Sequence, residues 1–105
     1  YVKKNIDNNT TFFKNKKTIF IKNIFFEQPN EIVFRSLSFL IKLVGDKYYN
    51  VRGKSIQTLV EKIKKDEVRK KTTLGGCFIE KFQETIIISR ENWFIYYMLY
   101  NLTLV

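Results

Sequence analysis

The chain has 105 residues, of which 45% are hydrophobic and 16% aromatic, enough for one domain with a core of its own. Nineteen Lys and Arg stand against ten Asp and Glu, with one cysteine and no histidine. Within these residues that inventory excludes an internal disulfide, the usual zinc sites and any nucleophile built on a Cys-His or Ser-His pair, while the net charge of +9 favours a polyanionic partner or an anionic surface.

A basic balance also arises with no partner at all where Asn, Ile, Lys and Phe are abundant throughout, as here. The single cysteine suits a reducing cytosol. No apolar run approaches the roughly 18–20 residues of a membrane-spanning helix. The N-terminus lacks the apolar segment of a signal peptide. The first residue is Tyr1 rather than Met, which predicts a piece of a longer protein.

Residues 1–17 are polar and rich in lysine and asparagine, with Phe12 and Phe13 as the apolar pair, and read as a mobile lead-in or linker. Residues 18–26 alternate apolar and other residues at first, giving a short strand or extended arm, with a helical turn over 24–26 as the competing reading. Pro29 and Asn30 then signal a helix start, with Asn30 as cap and Glu31 in the first turn, where negative charge is favoured. Apolar residues at Ile32, Val33, Phe34, Leu37, Leu40, Ile41 and Val44 predict a largely buried helix over 30–44, with Gly45 as its C-terminal cap. Arg35 and Lys42 fall on one side of that helix.

Tyr48 and Tyr49 lie in a predicted loop. A second helix follows over 53–65, where Ile56, Leu59, Val60 and Ile63 form an amphipathic stripe and Lys54, Lys62, Lys64 and Lys65 take the other faces. Arg69, Lys70 and Lys71 lead out of it. Between Lys47 and Lys71 there are nine Lys and Arg against three Asp and Glu, so the charge is concentrated. Such a surface is suited to phosphates, with salt-dependent binding, and a tyrosine to stacking on an unpaired base; a solvated helix face has the same composition.

Gly75 and Gly76 precede a β-hairpin over 77–89, with Gln83 and Glu84 at its turn, a poor pair for a two-residue loop. The glycines supply a positive φ or a close approach rather than a phosphate cradle, because a strand and not a helix follows them. Cys77 reads as a small buried residue. Residues 92–105 are nearly uncharged and aromatic, either a further core element or an interfacial end. The fold class is α+β: two helices packed with a C-terminal hairpin in a single small domain spanning 18–91.

The order of these features resembles a known family. The run Thr73-Leu74-Gly75-Gly76-Cys77, two apolar strands and then Arg90-Glu91 looks like the C-terminal part of the bacterial tRNA(Ile)-lysidine synthetases, downstream of their ATP-binding domain. Pro29-Asn30-Glu31-Ile32 with Arg35-Ser36-Leu37 looks like a helix start of that family. Val44-Gly45-Asp46, Tyr48 and Arg52 look like the segment joining its next two helices. The resemblance stops at Glu91, since Trp93 lacks the Asp-Gly-Arg expected after it.

The resemblance implies a cytoplasmic parent ligase that uses ATP and Mg to join lysine to the wobble cytidine of tRNA(Ile) with a CAU anticodon. That family's Ser-Gly-Gly-x-Asp-Ser loop is not in this chain, so the part implied here is tRNA binding and positioning beside an upstream catalytic domain, without catalysis or cofactor of its own. Candidate RNA-binding residues are Arg35, Arg52, Lys54, Lys70, Lys71 and Arg90, as phosphate contacts or domain-packing groups. The alternative is a stand-alone basic interaction or membrane-surface module.

Overall fold

The computed structural model describes residues 1–13, 17–45, 51–68 and 71–91. Lys47, Tyr48, Tyr49, Arg69, Lys70 and the aromatic segment 92–105 lie outside the described residues.

Among the described residues, three α-helices pack against a five-stranded antiparallel sheet. The helices are α1 (Val2–Asn9), α2 (Asn30–Gly45) and α3 (Gly53–Lys64). The strands are β1 (Thr10–Phe13), β2 (Thr18–Ile21), β3 (Thr72–Leu74), β4 (Cys77–Phe82) and β5 (Thr85–Arg90), in the order β1-β2-β5-β4-β3. The α+β class is as read from the sequence, with a larger sheet and one more helix.

Alternation along the strands builds the core. Ile19, Ile88 and Ile79 sit opposite one another on β2, β5 and β4, and Ile21 faces Ile86. These residues are buried together with Leu37, Leu40, Ile41 and Val44 of α2. Each such side chain contributes about 1.5–3 kcal/mol by leaving water. The stripe on α3 behaves as its spacing predicts, with Ile56, Leu59 and Val60 buried.

The hairpin reading holds and extends. Phe82 pairs with Thr85, so Gln83 and Glu84 do form a two-residue loop. Gln83 takes φ +56°, the sign that both primed turns require at their first central residue. Gly75 and Gly76, at φ +60° and +79°, close a second tight hairpin between β3 and β4, where Leu74 faces Cys77. Positive φ at both central residues is the type I′ geometry, open to glycine without steric penalty.

Three expectations need correction. The segment 1–17 is not simply a lead-in, because α1 and β1 are built from it. Its helix packs through amides: Asn5 Nδ2 donates to Phe25 O (3.4 Å) and Ser36 Oγ (3.3 Å), and Asn9 Nδ2 donates to Asn5 Oδ1 (2.8 Å). Secondly, Asn30 lies inside the first turn of α2 and its side-chain oxygen accepts from Lys64 Nζ of α3, while Pro29 O receives the Val33 N–H at 3.0 Å.

Thirdly, Gly45 is not a left-handed cap. It remains helical, and what it supplies is room: a Cβ there would stand 2.2 Å from Gly75 O. Residues 18–26 satisfy both readings offered for them, as strand β2 is followed by a 3₁₀ turn over Asn23–Glu27.

Candidate nucleic-acid interface

Helix α3 carries the concentrated charge. Arg52 caps its N-terminus, and Arg52 O accepts from Ser55 N (3.0 Å) and Ile56 N (3.2 Å). The first turn of α3 contains no acidic residue. The helix dipole there meets further positive charge instead of a compensating carboxylate, which raises the local positive potential.

Between α3 and edge strand β3 runs a groove of about 360 Å³. Arg52, Lys54 and Lys62 supply its charge, Ser55, Thr58 and Thr72 add hydroxyls, that of Thr58 donating to Lys54 O at 2.9 Å, and Thr73 borders it with its side chain on the other sheet face, opposite Phe78. No carboxylate is among the described residues that line it. The neighbouring concavity where α3 meets α2 differs, since Glu31 and Glu61 line it beside Lys64. Three cations with hydroxyls and no acid suit an anion; two carboxylates beside one lysine do not. Lys54, Thr58 and Lys62 are four residues apart in turn and so form one stripe of the helix.

The other candidates are dispersed. Arg35 is exposed on α2 and paired with Glu31 at 2.7 Å, one turn away, in a pair whose side chains are 65% and 71% exposed. Lys71 lies on the far side of the sheet, with Nζ 4.7 Å from the Phe78 ring centre and 3.7 Å from Glu80. Arg90 points to the helices, where Nε donates to Val44 O at 2.6 Å, closing the last turn of α2. The structure thus brings Arg52 and Lys54 together, adds Lys62, Thr58 and Thr72 to them, and separates them from Arg35, Lys71 and Arg90. Lys62 was not among the candidates read from the sequence; its spacing of eight from Lys54, with Thr58 between, is the signal that could have found it.

The double glycine offers no seat for the ATP implied for the parent enzyme. It forms a strand-to-strand turn, and Gly75 is packed so closely that a Cβ would lie 2.5 Å from Val51 Cγ2 and 2.8 Å from Ile41 Cγ2. Cys77 is buried, and its Sγ lies 3.4 Å from Ile41 O. Among the described residues, no three His, Cys, Asp or Glu side chains are placed to hold a metal ion, and no helix is long and apolar enough to cross a membrane.

The architecture defines a class: an α+β unit with a helical layer on its sheet and, at one edge, a basic groove whose described lining residues include no acid. Comparison with known proteins narrows this. The chain is 34% identical over 80 residues to a tRNA(Ile)-lysidine synthase of Wolbachia pipientis wMel, covering 76% of this chain and 19% of that protein. It is 34% identical over 68 residues to a tRNA(Ile)-lysidine synthase of Wolbachia sp. subsp. Brugia malayi (strain TRS), covering 65% of this chain and 16% of that protein. The chain is thus similar to a segment of tRNA(Ile)-lysidine synthases, as the order of its motifs implied, and spans under a fifth of the length of these relatives. No protein-family model matches it, and no solved structure does.

Proposed function

We propose that this chain is a tRNA-positioning region of a tRNA(Ile)-lysidine synthase, and that the α3–β3 groove is where it holds the phosphodiester backbone. The parent enzyme on this reading ligates lysine to the wobble cytidine of tRNA(Ile) using ATP in the cytoplasm, and this region supplies binding rather than chemistry. The observation that carries the proposal is the convergence of Arg52, Lys54 and Lys62 on one groove whose described lining residues include no acid. Arg52, Lys54 and Lys62 displace counterions from the backbone, and the Ser55 hydroxyl in the first turn of α3 donates to a phosphate oxygen. Arg35 and Lys71 serve as outlying contacts, and Arg90 as a packing group.

The test is binding to a tRNA(Ile) transcript with a CAU anticodon, against a second tRNA, over a salt series. The expected result is a preference for the isoleucine tRNA and an affinity that falls steeply with salt. Replacing Lys54 and Lys62 by alanine should flatten the logarithmic salt slope by about one unit per lysine. An unchanged slope would remove the groove from the interface, and equal weak binding to both tRNAs would reduce the reading to generic charge.

A further inference from the structure

Strand register puts Phe13, Phe20, Phe82 and Ile87 on the opposite side of the sheet from the core residues Ile19, Ile79 and Ile88. The Phe13 and Phe20 rings meet with centres 4.7 Å apart, yet 44% and 40% of these residues stay exposed, and 65% of Phe82. Clustered aromatic surface of this kind ordinarily has an occupant. Glu80 is the charged strand residue on this side, and Lys71 answers it at 3.7 Å. The surface therefore favours an occupant without charge.

We propose that the occupant is the chain's own segment 92–105, laid back over the sheet as an apolar cover. None of its residues is charged, and all but Asn92, Asn101 and Thr103 are apolar or aromatic. The segment starts in the right place. Strand β5 is the middle strand of the sheet, and its end is held on both sides, by Arg90 N–H to Lys17 O and Glu91 N–H to Gly76 O, each 2.9 Å. On the helix side of that exit the space is taken, because Arg90 Nε donates to Val44 O and both Val44 and Cys77 are fully buried. The apolar surface adjoining the exit is the one with Phe20 and Ile87, opposite each other on β2 and β5.

Length suffices in any conformation. Five strands span about 19 Å, against about 21 Å for a helix of this length and about 46 Å for an extended chain. A tether this short holds the segment at an effective concentration on the order of millimolar, ahead of a second copy in dilute solution. None of the α3–β3 groove residues takes part, so the cover and the tRNA reading can fail separately.

The experiment measures the rate at which a maleimide labels Phe20→Cys in the full chain, with and without Ile95→Asp and Leu99→Asp. Cys77 is buried and does not compete. The two aspartates should speed labelling by about tenfold, the ratio expected when a covered state gives way to an open one, at a rate independent of protein concentration. Labelling of Phe39→Cys, in the apolar groove between α1 and α2, should not change. Circular dichroism checks that each variant is folded, and Phe82→Cys replaces Phe20→Cys should the latter not fold. Equal rates at Phe20→Cys with and without the aspartates overturn the proposal, and so does protection that moves to Phe39→Cys. Protection lost on dilution would assign the surface to a second copy. Protection that arises only with phosphatidylserine vesicles would assign the segment to a membrane surface. Either result also overturns the proposal.

Discussion

Replacing Gly45 by alanine should destabilise the protein, although helix propensity argues for the opposite sign. Gly45 ends α2 with an ordinary helical φ, so alanine can adopt its backbone, and the exchange alone favours the helix by up to about 1 kcal/mol. Space decides against it. The new Cβ would stand 2.2 Å from Gly75 O and 3.3 Å from Cys77 Sγ. A carbon–oxygen contact needs roughly 3.3 Å, so about 1 Å must open between the end of α2 and the β3–β4 turn. Neither side yields readily. Gly75 is wedged against Ile41 and Val51, and Val44 O is tied to Arg90. Overpacking of this kind costs about 1–3 kcal/mol, and loosening the Arg90 bond adds roughly 1 kcal/mol. The net loss is therefore about 1–3 kcal/mol. With a urea slope of about 1–3 kcal/mol per molar for a small protein, the unfolding midpoint should fall by about 1 M. Gly53→Ala is the control, because its nearest neighbour is Phe34 Cζ at 3.3 Å, the end of a side chain that can swing aside. Its midpoint should hold or rise. A rise in both variants would refute the reasoning, since it would show that α2 and the turn separate freely.

Two further outcomes follow from single contacts. Arg90→Met removes the donor to Val44 O but keeps the apolar stem, and should lower stability by about 1–2 kcal/mol in the same urea assay; tRNA affinity should stay within about twofold, and a tenfold loss would return Arg90 to the interface. Asn5→Ala strips Phe25 O, Ser36 Oγ and Asn9 Nδ2 of their shared partner. It should cost about 2 kcal/mol, with protection of α1 amides from hydrogen exchange lost first; a midpoint equal to that of the unaltered chain would show α1 to be held by the packing of Ile6 and Val2 rather than by its amides.

Elements that bury hydrocarbon at a regular period were legible in the sequence. The stripe of α3 and the alternation in β4 and β5 announce themselves, because burial and period are one pattern there. Helix α1 was not legible for the converse reason. Two of its three buried residues, Asn5 and Asn9, are polar, and hydrogen bonding holds them where hydropathy looks for apolar groups. Strand β3 is three residues long, too short for periodicity, although Gly75-Gly76 between two β-prone runs is a hairpin signal. At the groove, charge was visible along the chain while its placement was not. Arg52 came with the family resemblance and Lys54 with the basic faces of the second helix, but Thr72 joins them only because two tight turns fold β3 back to the sheet edge beside α3.

That dependence makes the shape of the groove a property of residues outside it. One wall, α3, is carried by α2 through Ile56, Leu59 and Val60 and through the Lys64–Asn30 hydrogen bond. The other wall, β3, is carried by β4 through Thr72 opposite Ile79 and Leu74 opposite Cys77. The two supports meet where α2 reaches the β3–β4 turn, at the Gly45–Gly75 contact. Val51, which precedes Arg52, packs against that same glycine, so the position of the first groove cation is coupled to the turn. Screened attraction between a lysine and a phosphate varies slowly over an ångström, because the Debye length is about 8 Å at physiological salt. A hydroxyl–phosphate hydrogen bond does not survive the same shift, since its donor and acceptor must lie within about 2.5–3.0 Å. The glycine contact therefore matters less for whether the groove attracts an anion than for whether its hydroxyls reach one.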